Sequence, residues 1–355
     1  MESSAQQFLH QLLSTPSPSG LEAEIQKKWL AYVAPFADTC YTDEAGNAIA
    51  ALNTGAPFNV LLAGHCDEIG FLVKAIDENG FVYVEKLGGI SHKPALGMEV
   101  TILGSNGNVT GVFGTNAEHH GGAGDNFSFD DLFIDCGATS AEEIKAYVQI
   151  GDYAVYSHGA IDLLGDRLSA RGLDNRSGAF MVAEILRRLQ QKRPQVGVYA
   201  VSTVNEETNL GGAYFAAAGI KPNLAIALDV TFATDYPTVN AKKYGDVKVG
   251  GGPVLAKGAP INRNINALLE RTAKEVGIDV QYELTPRNTG TDADRMRLTG
   301  KGVPIALVSL PLRYMHAPRE VVSKQDMEQE IELLVQFIAN LTGKEELRPV
   351  VWPAT

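Results

Sequence analysis

Two glutamates stand side by side at Glu206 and Glu207, directly after the apolar, β-branched run from Val196 to Val204. Such a run is the pattern of a strand buried on both faces. Open α/β sheets bind their ligands beyond the carboxyl ends of their strands. Neighbouring residues on an extended segment point to opposite sides, so one carboxylate can hold a metal ion while the other handles a proton. Taken alone, Glu-Glu reads as a solvated acidic turn; other acids and histidines change that reading.

His65 follows the buried run Asn59-Val-Leu-Leu-Ala-Gly64, and Asp67 lies two residues on. A lone histidine there reads as a hydrogen-bonded core residue. With Asp67 beside it, it also fits a metal ligand whose second ring N–H is held by a carboxylate or carbonyl. Asp174 precedes a predicted helix and reads singly as an N-cap. Asp229 is predicted to end the strand from Leu224, and His316 lies just beyond another apolar run. Together, His65, Asp174, Glu207, Asp229 and His316 put five metal-capable side chains at or just past separate element ends, with Glu206 as a sixth group. Two imidazoles and three carboxylates suit a pair of divalent ions, with zinc, cobalt or manganese all compatible. One carboxylate bridges such a pair, and water caught between the ions ionises near neutral pH. A free carboxylate then serves as general base and passes the proton to a leaving amine.

The elements that must position these groups follow from periodicity. Leu9, Leu12 and Leu13 predict a helix over 5–14; Ser19 and Glu22 form a capping-box pattern before a helix reaching about Tyr32. Asp43 to Asn47 reads as a turn between strands. From 70 to 164 the texture changes to short apolar runs at 71–76, 81–86, 98–103, 109–114 and 153–157, with helix only at 140–148. That is the signature of a small barrel or sandwich. The stretch 119–125, with His119 and His120, reads as a flexible loop. After it come helices at 176–190, 211–218, 262–276 and 324–341 and strands at 196–204, 224–229, 278–284 and 304–309. Such alternation implies an α/β fold with a mostly parallel or mixed central sheet flanked by helices. The expected organisation is a discontinuous catalytic domain, 1–68 and 165–345, with a β-rich insertion at 69–164 and a tail at 346–355.

The chain has 355 residues, 45% hydrophobic and 20% charged, as expected of a globular enzyme. A net charge of −12 argues against nucleic-acid binding, which needs clustered Lys and Arg. Cys40, Cys66 and Cys136 form no CxxC pair, so neither a disulfide framework nor a thiolate zinc site is indicated. The amino terminus carries no signal-peptide pattern and no run approaches the ~20 apolar residues of a membrane span. A cytoplasmic protein with no membrane partner is expected.

The chain resembles the M42 metallopeptidases, the dinuclear aminopeptidases that include tetrahedral, glutamyl and deblocking enzymes. The resemblance runs from Pro18-Ser-Gly20 and Gly46-Asn47 through His65-Cys-Asp-Glu-Ile-Gly70 and Leu173-Asp-Asn-Arg176. It continues with Asn205-Glu-Glu207, Asp229-Val-Thr231, Gly290-Thr-Asp-Ala293 and Tyr314-Met-His316. It implies a zinc-peptidase-like fold acting on short peptides from their amino ends. It implies that Asp174 bridges two ions, that His65 and Asp229 complete one ligand set and Glu207 and His316 the other. Glu206 would be the general base, and Asp67 would support His65. The insertion would be a barrel-like dimerisation domain, and the chain would self-associate as a dimer or a tetrahedral dodecamer. Cys66, where many relatives carry Met, and the loop Thr208-Asn-Leu-Gly-Gly212, where relatives often carry Arg, depart from the pattern.

Three other functions compete. A deacylase or carboxypeptidase could use the same dinuclear site. An endoglucanase, a label some relatives carry, would need carboxyls flanking the bond ~5–9.5 Å apart rather than adjacent in sequence. A binding protein of this fold would have lost a ligand or Glu206, and none is missing. The first-residue preference stays open; Lys257 and Arg263 could attract an acidic side chain. His92, His119, His120 and His158 fit loop or interface roles.

Overall fold

The structure, a computed structural model, describes residues 1–122, 124 and 127–352. In chain order the strands are β1 (Thr39–Thr42), β2 (Ala48–Leu52), β3 (Asn59–His65), β4 (Gly70–Ile76), β5 (Val82–Leu87) and β6 (Glu99–Gly104). They continue as β7 (Gly107–Phe113), β8 (Phe133–Asp135), β9 (Tyr153–Tyr156), β10 (Ile161–Asp162), β11 (Arg167–Ala170) and β12 (Gly197–Thr203). The last are β13 (Leu224–Phe232), β14 (Val254–Gly258), β15 (Gln281–Thr285), β16 (Ile305–Leu312) and β17 (Glu320–Ser323). The α-helices are α1 (Ser3–Ser14), α2 (Ala23–Val33), α3 (Ala141–Lys145), α4 (Leu173–Lys192) and α5 (Glu206–Asn209). After them come α6 (Gly211–Ile220), α7 (Ala241–Tyr244), α8 (Arg263–Val276), α9 (Ala293–Met296) and α10 (Lys324–Ala339).

The apolar runs form an eight-stranded sheet in the order β1-β2-β12-β3-β13-β16-β14-β15. Its centre is parallel, β12 with β3, β3 with β13 and β13 with β16, so their carboxyl ends share one edge. Strands β2 and β14 run against their neighbours, which makes the sheet mixed. Alternation along each strand sends side chains to two cores. On one face Leu62, Leu228 and Val308 pack with α1, α2, α4, α8 and α10; on the other Ala63, Ala227 and Leu307 pack with α6 and α9. The second body of strands is a closed barrel, β4-β5-β8-β7-β6-β9, filled by Phe71, Phe113, Ile134 and Tyr156. Both fold-class expectations, the mixed sheet and the small barrel, are met.

Several local expectations are not. Ser19 and Glu22 form no capping box: α2 has no side-chain cap, the Ser19 hydroxyl donates instead to Asp67 Oδ2 at 2.6 Å, and Glu22 accepts the Gly20 amide. Asp229 does not end its strand, because β13 continues through Phe232 alongside β16. The glutamate pair is not extended: Asn205 turns to φ 56 and Glu206 and Glu207 open a single helical turn. Their side chains still diverge, since successive residues on a helix are about 100° apart. Strands β8, β10, β11, β14 and β17 are too short or too polar for the periodicity argument. Of the loop 119–125, His119 and His120 lie in the 3-10 turn Glu118–His120, while Ala123 and Asp125 lie outside the described residues. The tail is ordered where it docks: Leu347 is buried and its carbonyl accepts from Asn262 Nδ2 at 2.6 Å. Trp352 is exposed, and 353–355 lie outside the described residues.

Candidate metal centre

Strand β3 delivers His65 to the shared carboxyl edge, and β12 ends level with it, Thr203 opposite His65. Gly64 lets α4 close onto this edge; a Cβ there would come 2.4 Å from the Gly178 carbonyl carbon. At the start of α4, Asp174 and Asn175 leave helical φ/ψ, with a cis peptide between them. Asn175 Nδ2 then donates to the Leu228 carbonyl at 2.8 Å, fixing this turn beside β13. His316 sits in the turn after β16 at φ 62, a conformation costly for any residue but glycine. Its amide donates to Glu320 Oε1 at 2.9 Å, and the Asp174 amide donates to Glu320 Oε2 at 3.1 Å. One buried carboxylate thus holds the backbones of two candidate ligands.

All seven residues named from the sequence converge here. His65 Nε2 faces Asp174 Oδ1 at 3.2 Å and Glu206 Oε2 at 3.6 Å. His316 Nε2 faces Asp174 Oδ2 at 3.3 Å and Glu207 Oε2 at 3.4 Å. The two oxygens of Asp174 therefore address two different imidazoles. Asp229, His65 and Glu206 can bring one ligand atom each within 4.8 Å of one another, as can His65, Asp174 and Glu207.

The ring orientations follow from elementary hydrogen bonding. His65 Nδ1 is 3.1 Å from the Asp67 carbonyl and His316 Nδ1 is 3.2 Å from the Gly89 carbonyl. A carbonyl only accepts, so both Nδ1 atoms carry hydrogen and Nε2 faces the shared centre, where it offers a lone pair once its own proton is displaced. Gly89 belongs to the segment between β5 and β6, so the barrel side supplies this contact. Its lack of a Cβ matters, since one there would lie 2.7 Å from His316 Nδ1.

Charge is poorly balanced in the cluster. Burial pushes the Glu206 and Asp229 carboxyls well up, and each is raised further by neighbouring acids. Burial also lifts Glu207, with Asp174 adding to it, to about 6. Burial works against protonation of His65, but Glu206, Asp174 and Asp67 outweigh it and raise the ring well above its usual value. The same balance, with Asp174 and Glu207 as partners, takes His316 to about 11. Glu207 Oε1 is buried without a hydrogen-bond partner. Crowded carboxylates, two Nε2 atoms aimed inward and an orphaned oxygen are the arrangement that divalent cations complete.

The sequence assigns Asp67 to the support of His65. Its carboxylate Oδ1 is indeed 3.4 Å from His65 Nδ1, yet the ring's hydrogen bond goes to the Asp67 carbonyl. The carboxylate is occupied by the Ser19 hydroxyl and by the amides of Glu206 and Glu207 at 3.1 and 3.2 Å. Two residues escaped sequence reasoning. Glu320 has no motif around it. Asp292, in the Gly290-Thr-Asp-Ala293 stretch, accepts from Thr203 Oγ1 at 2.5 Å and keeps Oδ1 buried and unpartnered close to Glu206.

The sequence profile of the M42 glutamyl aminopeptidase family matches residues 46–333. The chain is 35% identical over 323 residues to a putative aminopeptidase of Acetivibrio thermocellus, covering 90% of this chain and 94% of that one. It is 31% identical over 350 residues to a lysyl aminopeptidase of Pyrococcus furiosus, covering 97% and 98%. Among solved structures it is similar to the Pyrococcus horikoshii TET1 peptidase, described as able to assemble into a tetrahedron or a large octahedral shell. That likeness has a TM-score of 0.84 at 29% identity and covers 95% of this chain and 100% of that one.

Proposed function

The chain belongs to the M42 glutamyl aminopeptidase family, and is a metal-dependent peptide hydrolase of aminopeptidase type; from that premise we propose that it removes the first residue of short peptides at a two-ion centre. His65 and Asp229 would hold one ion, Glu207 and His316 the other, with Asp174 shared between them. The observation that carries this reading is the Asp174 carboxylate, whose oxygens lie 3.2 and 3.3 Å from the two Nε2 atoms. The oxygen-and-imidazole donor set favours zinc, with cobalt or manganese as substitutes. Bound there, such ions supply an acidified water and polarise the scissile carbonyl.

The protein's own groups do the rest. Glu206 takes the proton of the attacking water and passes it to the leaving amine. Asp67 sets the backbone of both glutamates, and Glu320 that of Asp174 and His316. The test is a pair of otherwise identical short peptides, one with a free amino end and one N-acetylated. Release of the first residue from the free peptide alone supports the aminopeptidase; faster attack on the acylated peptide supports the deacylase instead.

Self-association belongs to the same proposal. The region 69–164 includes the barrel and is the segment we assign to pairing two copies. Dimers would then close into a tetrahedral dodecamer; the P. horikoshii relative is described as able to assemble into a tetrahedron. The family is named for glutamyl substrates and the P. furiosus relative for lysyl ones, which leaves the first-residue preference to this chain's own residues.

A further inference from the structure

Glu283 is a half-buried acid without a counter-ion. It stands on β15, and its carboxylate accepts from the Ser309 hydroxyl at 2.7 Å and from the Thr231 hydroxyl. Burial pushes its proton affinity up, and the two hydroxyls only partly offset this. Among the described residues no Lys, Arg or His comes within ion-pair distance of it. Lys257, on the adjacent strand, pairs with Glu270 at 2.7 Å. Lys257 and Arg263 both line a cavity beside Pro304 and Ile305, at the opposite end of β16 from His316. That removes them as attractors of an acidic first residue.

The position of Glu283 relative to the centre follows from strand register. Ser309 is the parallel partner of Asp229, so the two side chains leave the sheet on the same face, about 4.8 Å apart at the backbone. Thr231 is two residues beyond Asp229 on that face, roughly 7 Å further along the strand. Glu283 is hydrogen-bonded to both. It therefore lies beside the Asp229 corner of the ligand cluster, and part of its surface remains open. An acid without a counter-ion next to the reacting end of a peptide is what a cationic side chain would satisfy.

We propose that Glu283, seated on Ser309 and Thr231, is the floor of the subsite for the substrate's first side chain and selects Lys or Arg there. This rests on the aminopeptidase reading above. The four-carbon stem of lysine carries its ammonium away from the scissile bond towards the Glu283 carboxylate. An acidic first residue is rejected by the same carboxylate.

Calorimetric binding of L-lysine and of L-norleucine, its apolar counterpart, to the zinc-loaded full-length protein tests the site without turnover. Lysine should bind at least about tenfold tighter, the discrimination expected of one desolvated ion pair, and Glu283→Gln should bring the ratio close to one. Glu283→Asp keeps the charge but retracts it by one methylene, so the preference should pass from lysine to the longer arginine; this variant decides the matter if Glu283→Gln fails to fold. On amino acid p-nitroanilides the Lys-to-Leu ratio of kcat/KM should fall by a similar factor in Glu283→Gln. Equal binding of lysine and norleucine by the wild type would overturn the inference. Lysine binding that depends on Glu283, with no turnover of any substrate, would leave the subsite standing and sink the aminopeptidase reading instead.

Discussion

Asp67 holds Glu206 by the backbone: its carboxylate accepts the Glu206 amide at 3.1 Å and, with the other oxygen, the Glu207 amide at 3.2 Å. A single buried acid therefore sets both the candidate base and a candidate ligand, while its own carbonyl orients His65. Asp67→Asn offers an NH2 group to amides that need an acceptor. Metal affinity or kcat should drop by roughly 10–100-fold, as for other groups that orient ligands. Competition with a chromophoric chelator and steady-state kinetics on the same preparation read both; an Asn variant equal to wild type in each would remove Asp67 from the site.

Glu206 and Glu207 should separate by substitution although they are adjacent. Glu206→Gln should lose roughly 10²–10⁴-fold in rate, the usual worth of a general acid–base group, with metal content unchanged. Glu207→Gln should lower the affinity for one ion. The reverse outcome, metal lost from Glu206→Gln and retained in Glu207→Gln, means that the pair is assigned backwards.

Much of this centre was readable in the sequence because its residues sit at the ends of strongly patterned elements. The apolar runs before His65, Glu206 and His316 announce buried strands, and carboxyl ends of parallel strands collect ligands. What was not readable depends on contacts made across the fold. The Ser19 pattern matched a helix cap, but tertiary contact gave its hydroxyl to Asp67. Nothing around Glu320 signals that its oxygens will receive the Asp174 and His316 amides. Asp229 falls inside β13 because pairing with β16 extends the strand past the last strongly apolar residue. Glu283 lies on a short, alternating edge strand, where neither periodicity nor motif marks it.

Glu320→Gln should show that this unmarked residue matters. The amide side chain can accept only one of the two backbone N–H groups, so the turns carrying Asp174 and His316 loosen together. Loss of metal affinity on the order of 10–100-fold is expected, read by chelator competition, with circular dichroism confirming the fold. Unchanged affinity would limit Glu320 to a packing role.

Metal uptake should compete with protons, and the sign is fixed by the imidazoles. Neighbouring carboxylates overcome burial to take His316 to about 11 and hold His65 well above its usual value, so in the metal-free protein both rings hold a proton more tightly than a free imidazole. A ligand must be neutral, so each ion displaces a proton. Affinity should therefore fall as pH is lowered from about 8 to about 6, by roughly tenfold per unit for each proton released. Calorimetry in buffers of different ionisation enthalpy counts those protons. Uptake with no proton release would show that the imidazoles are already neutral before the ions bind.

Assembly is tested by light scattering coupled to gel filtration. At least a dimer is expected, because an isologous contact through the 69–164 segment repeats one surface on both copies. An active, stable species near the 38.0 kDa chain mass would exclude both dimer and dodecamer.

The two-ion centre is tested most directly by titrating zinc into chelator-stripped protein while following both bound metal and hydrolysis of a free-amino-end peptide. Close to two equivalents per chain should bind tightly, with full activity reached only as the second site fills. Full activity at one equivalent, or with no stoichiometric metal, would contradict the assignment of Asp174 as the carboxylate shared between two ions.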